Sequence, residues 1–453
     1  MKPPFYYTPI IRLAMPIYRY MVKRKSQHLL TYERELNERF GKKYLPVPAM
    51  TFLKDCLDDL DCFGEKSIQN KGLIWCHAVS LGELNTAYPL LKILLNQGFG
   101  LWITSSTQTG FNRVGVLFKG ELGKSVNHSF VPVDDLIVIR RFIAHARPVM
   151  AIFVETELWA NILYELNRQS IPSVLVNARL TKKSFDGYAK FGKLSQSMMQ
   201  NLTAIIAQDE VSADRFAKLG ANKEKIHVAN SLKWANLGQL SNENQDLVAK
   251  IATWQMGQRP IWLVGSTHEG EEILMLEVQK QLLKSDKNPL LILVPRHPER
   301  FDKVAVLCQS SGLITHRRSQ NEQITPDTQV YLVDSMGELL AWYKVCDVAV
   351  VAGSFVDKGG HNPIEPASFA KPVVMGQFVK NCEALVAQLS QVSALVQTNS
   401  VATDIAEAVA CWLFDVNAAT ISGQAGADLV TQKRHSAQIQ ADILLNYLSS
   451  CQD

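Results

Sequence analysis

The stretch Ile74-Trp75-Cys76-His77-Ala78-Val79-Ser80-Leu81-Gly82-Glu83 runs apolar into a histidine, then opens a small-residue turn with a carboxylate behind it. A helix is predicted over Leu84–Leu94, so Glu83 falls in its first turn. A strand that stops and releases a Ser/Gly turn into a helix N-terminus is where α/β sheets place reactive groups. A carboxylate of ordinary pKa there is ionised at neutral pH and can take a proton from an attacking hydroxyl. The plainer reading is a glutamate that merely complements the helix dipole. Phe153-Val154-Glu155-Thr156-Glu157-Leu158-Trp159 sets two more carboxylates at a strand end, where structural hydrogen bonding competes with function. Asn177-Ala178-Arg179-Leu180 repeats that placement with an amide and a guanidinium. Ser231-Leu232-Lys233 adds a cation that could equally be solvated, and Thr104 to Gly110 is a hydroxyl-rich turn suited to sugar hydroxyls or to a plain cap.

A second group of loops suits anions. Val264-Gly265-Ser266-Thr267-His268-Glu269-Gly270-Glu271 follows a strand and opens a helix whose free N–H groups could hold an anion, although Ser266 or Thr267 is also an ordinary N-cap. Val294-Pro295-Arg296-His297-Pro298-Glu299-Arg300 uses two prolines to stiffen the presentation of Arg296, a guanidinium suited to phosphate. Asp334-Ser335-Met336-Gly337-Glu338 also follows a strand. Gly359-Gly360-His361-Asn362-Pro363-Ile364-Glu365 gives close backbone approach, a capping Asn362, Pro363 at the first helical position and Glu365 in the first turn. A carboxylate there can accept both hydroxyls of a ribose. Leaving phosphate on one side and an acceptor hydroxyl on the other describe a glycosyl transfer, with Glu83 as general base.

Short apolar runs alternate with helical segments and would position these loops. Strands are predicted at Leu73–His77, Leu101–Thr104, Val149–Val154, Ser173–Val176, Ala204–Ala207 and Ile226–Val228. A polar joint lies within Ser231–Arg259. The rhythm restarts at Pro260–Val264, Leu290–Val294, Val330–Val333, Val348–Val351 and Val373–Met375, and Asp404 to Tyr447 reads as helices. The expected architecture is α/β, two doubly wound parallel sheets facing a cleft, with ligands at the carboxyl ends of the strands. The expected segments are residues 1–42, a membrane-associated helical start; 43–238, an acceptor domain; and 239–453, a donor domain with terminal helices.

The 453 residues are 47% hydrophobic and 20% charged, with a net charge of +4. That balance is globular and demands no nucleic-acid partner. The eight cysteines form no C-x-x-C pair, which points to a reducing compartment rather than zinc or disulfides. No Walker A loop and no G-x-G-x-x-G after a strand occurs, which weakens ATPase and dehydrogenase readings. Asp58-Asp59-Leu60-Asp61 and Asp134-Asp135 read as solvated surface, and no metal is expected. Phe5 to Met21 is aromatic and aliphatic, broken by Arg12 and Pro16, with Lys23, Arg24 and Lys25 following. It suits a helix lying in a membrane interface over anionic headgroups, or one docked on its own core.

His77–Glu83, Glu155–Trp159, Asn177–Leu180, Ser266–Glu272, Val294–Phe301 and Gly359–Glu365, taken in order, closely resemble the Kdo transferases of lipopolysaccharide biosynthesis. Kdo is 3-deoxy-D-manno-octulosonic acid. Tyr32 to Gly41 resembles the charged helix that follows the family's membrane anchor. The resemblance implies a GT-B fold of two Rossmann-like domains and an inverting, metal-independent transfer of Kdo from CMP-Kdo to lipid IVA, without a cofactor. It implies Glu83 as base, Glu157 and Lys233 as stabilisers of the transition state, and contacts to CMP from Pro295, Arg296, Met336, Gly337, Glu338, Asn362, Pro363, Ile364 and Glu365. It also implies the cytoplasmic face of the inner membrane. Asn230-Ser231-Leu232-Lys233-Trp234-Ala235 departs from the family's usual Gly-(Asn/Ser)-Leu-Lys-Phe-Asp, and Ala235 removes a carboxylate; Ala160 stands where Pro is usual. Another GT-B transferase or epimerase acting on UDP-sugars, and a two-lobed sugar-phosphate binding protein that needs no base, are the alternatives. The motifs do not encode how many Kdo residues are added.

Overall fold

The computed structural model describes residues 1–50, 70–235, 240–254 and 257–449. Cys56, Cys62, Cys451 and the acidic string Asp58–Asp61 lie outside the described residues. The chain divides into two compact units, Met1–Asn236 with His435–Asp453, and Leu237–Arg434.

The first unit holds β1 (Leu73–His77), β2 (Gly100–Ser105), β3 (Val126–Phe130), β4 (Met150–Val154), β5 (Ser173–Ala178), β6 (Ala204–Ala207) and β7 (Ile226–Val228). They form one sheet in the order β3-β2-β1-β4-β5-β6-β7, parallel throughout. The second unit holds β8 (Ile261–Thr267), β9 (Leu290–Pro295), β10 (Thr315–Arg317), β11 (Val330–Leu332), β12 (Val348–Val351), β13 (Val373–Met375) and β14 (Leu395–Gln397), in the order β10-β11-β9-β8-β12-β13-β14, again parallel. Both faces of each sheet are buried. On β1, Ile74 and Cys76 enter one core while Leu73 and Trp75 enter the other; on β8, Trp262 and Val264 oppose Ile261 and Leu263. Helices on both faces explain why these strands read as unbroken apolar runs.

Three strands escaped the sequence pattern. β3, Val-Asn-His-Ser-Phe, is polar yet wholly buried, with its Asn127 and Ser129 side chains hydrogen-bonded. Asn127 donates to the carbonyl of Pro46 at 2.7 Å and Ser129 accepts from the Trp102 indole at 2.9 Å. β10 and β14 are three-residue sheet edges, too short to show a period.

Two expectations about domain extent need correcting. The first 42 residues belong to the first unit. α1 (Tyr7–Ser26) docks by polar contacts: Tyr7 to Asp134 at 2.7 Å, Thr8 to Asn161 at 3.0 Å and Arg12 to Asp135 at 2.8 Å. α2 (Tyr32–Arg39) is held by buried charge, Arg39 pairing with Glu35 at 2.8 Å and Glu38 accepting from the Phe130 N–H at 2.9 Å. The last helix, Ser436–Ser449, does not stay with the second unit. It lays Ala437, Ala441, Leu444 and Leu448 against the core formed by β1, β2 and α3 (Leu81–Asn96). Burying each leucine favours that position by roughly 1.5–3 kcal/mol.

Asp134 and Asp135 are also not solvated. Both are buried; Asp135 caps the helix Leu136–Ala146, and Asp134 accepts from the Asn161 and Ile162 N–H groups. Burial, the largest influence, pushes the Asp134 carboxyl up to about 7.

Candidate active site

β1 ends in His77, whose ring is fully buried; Nδ1 lies 3.1 Å from the Thr104 carbonyl and 3.0 Å from its hydroxyl. Burial lowers its pKa to about 4, so the ring is neutral at pH 7. Ser80 then caps α3, its hydroxyl accepting from the Glu83 N–H at 3.4 Å. Glu83 reaches back: one carboxylate oxygen accepts from the Val79 N–H at 2.8 Å and the other from the Ser80 hydroxyl at 3.3 Å. Ser80-x-x-Glu83 is therefore a reciprocal cap, and the structural reading of Glu83 holds as far as it goes. The hydroxyl-rich turn after β2 latches onto the same place, with the Ser106 and Thr107 N–H groups and the Thr107 hydroxyl all donating to the Val79 carbonyl.

The cap does not account for the electrostatics. Burial raises the Glu83 pKa to about 7; the Val79 N–H and Ser80 pull it back, while the charges of Glu155 and Glu157 push it further up. The expectation of an ordinary carboxylate is thus corrected: three carboxylates gather in a partly desolvated place, and the charged form of Glu83 is disfavoured. A base tuned near neutrality accepts a proton more readily than one near 4.

Glu155 follows β4 with φ +63°. Left-handed backbone is uncommon for a residue with a Cβ and collects at functional positions. Glu157 is half-buried, its carboxyl also raised by burial, and among the described residues nothing pairs with it. Asn177, φ +49°, sits where the β5–β6 register shifts. Its side-chain oxygen accepts from the Leu232 N–H at 2.9 Å, which fixes the short turn Leu232–Ala235 that carries Lys233. Gln440 of the last helix accepts from the Asn177 N–H at 3.0 Å and donates to the Asn230 carbonyl at 3.1 Å. Asn230 itself needs no positive φ, so the departure from the usual glycine is accommodated. Gln440 was invisible to sequence reasoning, because nothing local links it to a turn more than 200 residues earlier.

In the second unit, Ser266 ends β8 with φ +64°, and Gly265 is required there: a Cβ would stand 2.4 Å from the Tyr343 hydroxyl. The following turn does not offer its His268 N–H to a ligand. The buried Glu271 carboxylate takes the His268, Gly353 and Phe355 N–H groups, tying the loops after β8 and β12 together. Arg300 is likewise structural, forking onto Glu272 at 2.7 and 2.9 Å. Arg296 is different. Pro295 ends β9 buried, the Arg296 N–H is tied to the Thr267 carbonyl at 3.1 Å, and its exposed guanidinium has no partner among the described residues.

Around Arg296 stand three imidazoles. His268 Nε2 lies 2.9 Å from His361 Nε2, with the rings stacked at 5.1 Å, and His297 is 5.3 Å from His268. Burial, then neighbouring cations, holds both rings of the pair below the usual histidine range, His361 at about 4. They are neutral hydrogen-bonding groups beside a fixed positive charge. Their motif residues were visible in the sequence, but their convergence was not. Gly353, φ +69°, makes room for them, since a Cβ would meet the His361 ring at 2.8 Å.

Asn362 accepts from the Ile364 N–H at 3.3 Å and donates to Glu365 at 3.3 Å; the helix Ile364–Ala367 begins at Ile364, with Pro363 rather than Asn362 at its N-cap position. Burial raises the Glu365 carboxyl, and the Arg296 charge lowers it, which brings Pro363, Ile364 and Glu365 into the neighbourhood of Arg296. Met336 is exposed, and Gly337 (φ +85°) accepts from Asn244 at 3.2 Å. Glu338 is already engaged, pairing with Arg318 at 2.8 Å and accepting from the Ser335 hydroxyl at 2.7 Å.

Residues 35–236 match the model of the family described as 3-deoxy-D-manno-octulosonic-acid transferase (kdotransferase). A 3-deoxy-D-manno-octulosonic acid transferase of Haemophilus influenzae is 35% identical over 98% of this chain and 98% of its own length. The enzyme of the same name from Bordetella pertussis is 32% identical over 68% of this chain and 72% of its own. Among solved structures, a glycosyltransferase from Rickettsia africae (TM-score 0.56, 12% identity, 85% of this chain and 100% of that one) and a UDP-GlcNAc 2-epimerase from Neisseria meningitidis (0.56, 12%, 83% and 100%) share the fold. The architecture is GT-B.

Proposed function

The chain belongs to the Kdo transferase family, and from that premise we propose that it moves Kdo from CMP-Kdo to a sugar hydroxyl of lipid IVA with inversion. The observation that carries the reading is the setting of Glu83: a half-buried carboxylate, raised to about 7, just past the end of a strand. Glu83 takes the proton as the acceptor O–H bond breaks. The new O–C bond forms at the anomeric carbon of Kdo from the face opposite the phosphate. The bond from that carbon to the phosphate oxygen breaks, and CMP leaves.

Arg296 receives the phosphate charge, with the neutral His268–His361 pair as adjacent hydrogen-bonding groups. Glu365 and Asn362 take nucleotide hydroxyls, and Pro295, Met336, Gly337, Glu338, Pro363 and Ile364 shape that pocket. Glu157, a carboxylate without a partner among the described residues, and Lys233, fixed by Asn177, stabilise the charges that develop on the sugar and the phosphate. With guanidinium and ammonium groups in these roles, the transfer is metal-independent and uses no cofactor.

α1 turns Ile10, Leu13, Ile17, Tyr20 and Met21 outward, Phe5 just before it is exposed too, and its last turn carries Lys23, Arg24 and Lys25. No single helix among the described residues is long and apolar enough to cross a membrane. We place the protein on the cytoplasmic face of the inner membrane, α1 lying in the interface over anionic lipids. Mass analysis of lipid IVA incubated with the protein and CMP-Kdo tests the reaction. The expected product has gained one or more Kdo masses; no gain with CMP-Kdo, or sugar transfer from UDP-sugars instead, contradicts it.

A further inference from the structure

α1 is held at its two ends and stands clear in the middle. Its first turns are tied down by Tyr7, Thr8 and Arg12, and its buried residues, Val22 and Ser26, come near its end. Beneath the middle lies a cavity of about 400 Å³, roofed by Ile11, Ala14, Met15 and Tyr18 and floored by Val131, Pro132 and Val133. Arg39, Asp134 and Glu157 also reach it. Arg39 is already bound to Glu35 and the Ser106 carbonyl, and Asp134 to Tyr7 and two N–H groups. What remains open to a ligand is a mostly apolar trough with the Glu157 carboxylate, the Ser106 hydroxyl and the Trp159 indole N–H in its wall, the last two buried without a hydrogen-bond partner among the described residues.

That combination selects an amphiphile. A free sugar would strand most of its hydroxyls against the apolar walls, and a peptide segment would strand its backbone groups there. A methylene chain asks only for apolar contact, and each buried CH₂ contributes about 0.8 kcal/mol. The outer face of the same helix is the apolar, base-flanked surface described above, so one helix offers lipid contact on one side and a trough on the other.

We propose that this trough under α1 receives one acyl chain of the acceptor lipid and thereby sets the acceptor's sugar near Glu157. The proposal deepens the reading that the acceptor is a lipid and rests on it. The chain docks by burial, so it governs acceptor affinity, and the bond-making steps at Glu83 are untouched.

The test uses the full chain and two acceptors, acylated lipid IVA and its fully de-acylated disaccharide bisphosphate. Ala14→Trp fills the trough. The expected result is a KM for the acylated acceptor raised about tenfold or more, with kcat/KM on the de-acylated acceptor and CMP binding close to wild type. An unchanged KM, or equal losses on both acceptors, overturns the proposal. A second measurement needs neither turnover nor that variant. A fatty acid brominated at mid-chain should quench wild-type tryptophan fluorescence, and Trp159→Phe, which removes the indole lining the trough, should abolish most of that quenching. Absence of quenching, or quenching indifferent to Trp159→Phe, overturns it. If wild type transfers Kdo to neither acceptor, the functional reading fails and the quenching arm decides the trough; if it transfers to both with equal KM, the trough alone fails.

Discussion

At the carboxyl ends of its strands the first unit gathers Glu83, Glu155 and Glu157, the latter two close enough for their charges to act on Glu83. At the corresponding ends of β8, β9 and β12 the second unit gathers His268, Arg296, His297 and His361. Both sheets have seven parallel strands and both use a left-handed residue beside the site, Glu155 in one and Ser266 in the other. The backbone is shared; the electrostatics are opposed. Burial, with the charges of Glu155 and Glu157 added to it, raises Glu83 to about 7. Burial, with neighbouring cations added to it, keeps the His268 and His361 imidazoles neutral beside the positive charge of Arg296. In the proposed reaction one fold would thus serve proton removal in one unit and phosphate binding in the other, through the side chains at its strand ends.

Removing either charge breaks the comparison. Glu83→Gln should lose on the order of 10²-fold or more in transfer rate while CMP binding stays as in wild type. Equilibrium titration with CMP beside a turnover assay checks both halves. Arg296→Ala should do the converse. Losing a charge-assisted hydrogen bond of about 1.5–3 kcal/mol weakens CMP roughly 10- to 100-fold, read as an inhibition constant, and unchanged inhibition would remove Arg296 from the donor site.

Gln440→Leu sharpens the account of Lys233. It strands the buried Asn177 N–H, at about 1–3 kcal/mol, and removes the Gln440 bond to the Asn230 carbonyl. A lower unfolding midpoint and a reduced rate are expected, and full activity would show that the last helix does not position the Lys233 turn. The smallest effect is Glu155→Gln. It removes one negative neighbour of Glu83, so the pH midpoint of activity should move downward by a fraction of a unit; an upward or absent shift would deny that the two carboxylates interact.

Much of this contrast was legible before the fold was known, because strand-end motifs announce themselves by local order: an apolar run, then Ser80-Leu81-Gly82-Glu83, or Pro295-Arg296-His297-Pro298. The sheets were legible for the same reason, and β3 was not, since its Asn127 and Ser129 side chains find their partners in Pro46 and Trp102, elsewhere in the chain. The buried Asp134 and Asp135 misled in the same manner: an acidic pair looks solvated until its partners Asn161, Ile162 and Arg12 are placed. The tuning of Glu83 was also out of reach, because it arises from burial and from Glu155 and Glu157, some 70 residues on. The last helix shows a third kind of loss. Its apolar spacing shows a buried helix, not which unit buries it.

The claim that Glu83 is the base is tested most directly by the pH dependence of single-turnover Kdo transfer, with the protein saturated by CMP-Kdo. A base whose pKa is raised to about 7 is protonated below that value. The rate should therefore fall about tenfold per pH unit below a midpoint near 7, and Glu83→Gln should be slow and flat across the same range. A wild-type rate that stays level down to the ordinary carboxylate range, or a Glu83→Gln variant that keeps the wild-type profile, would contradict it.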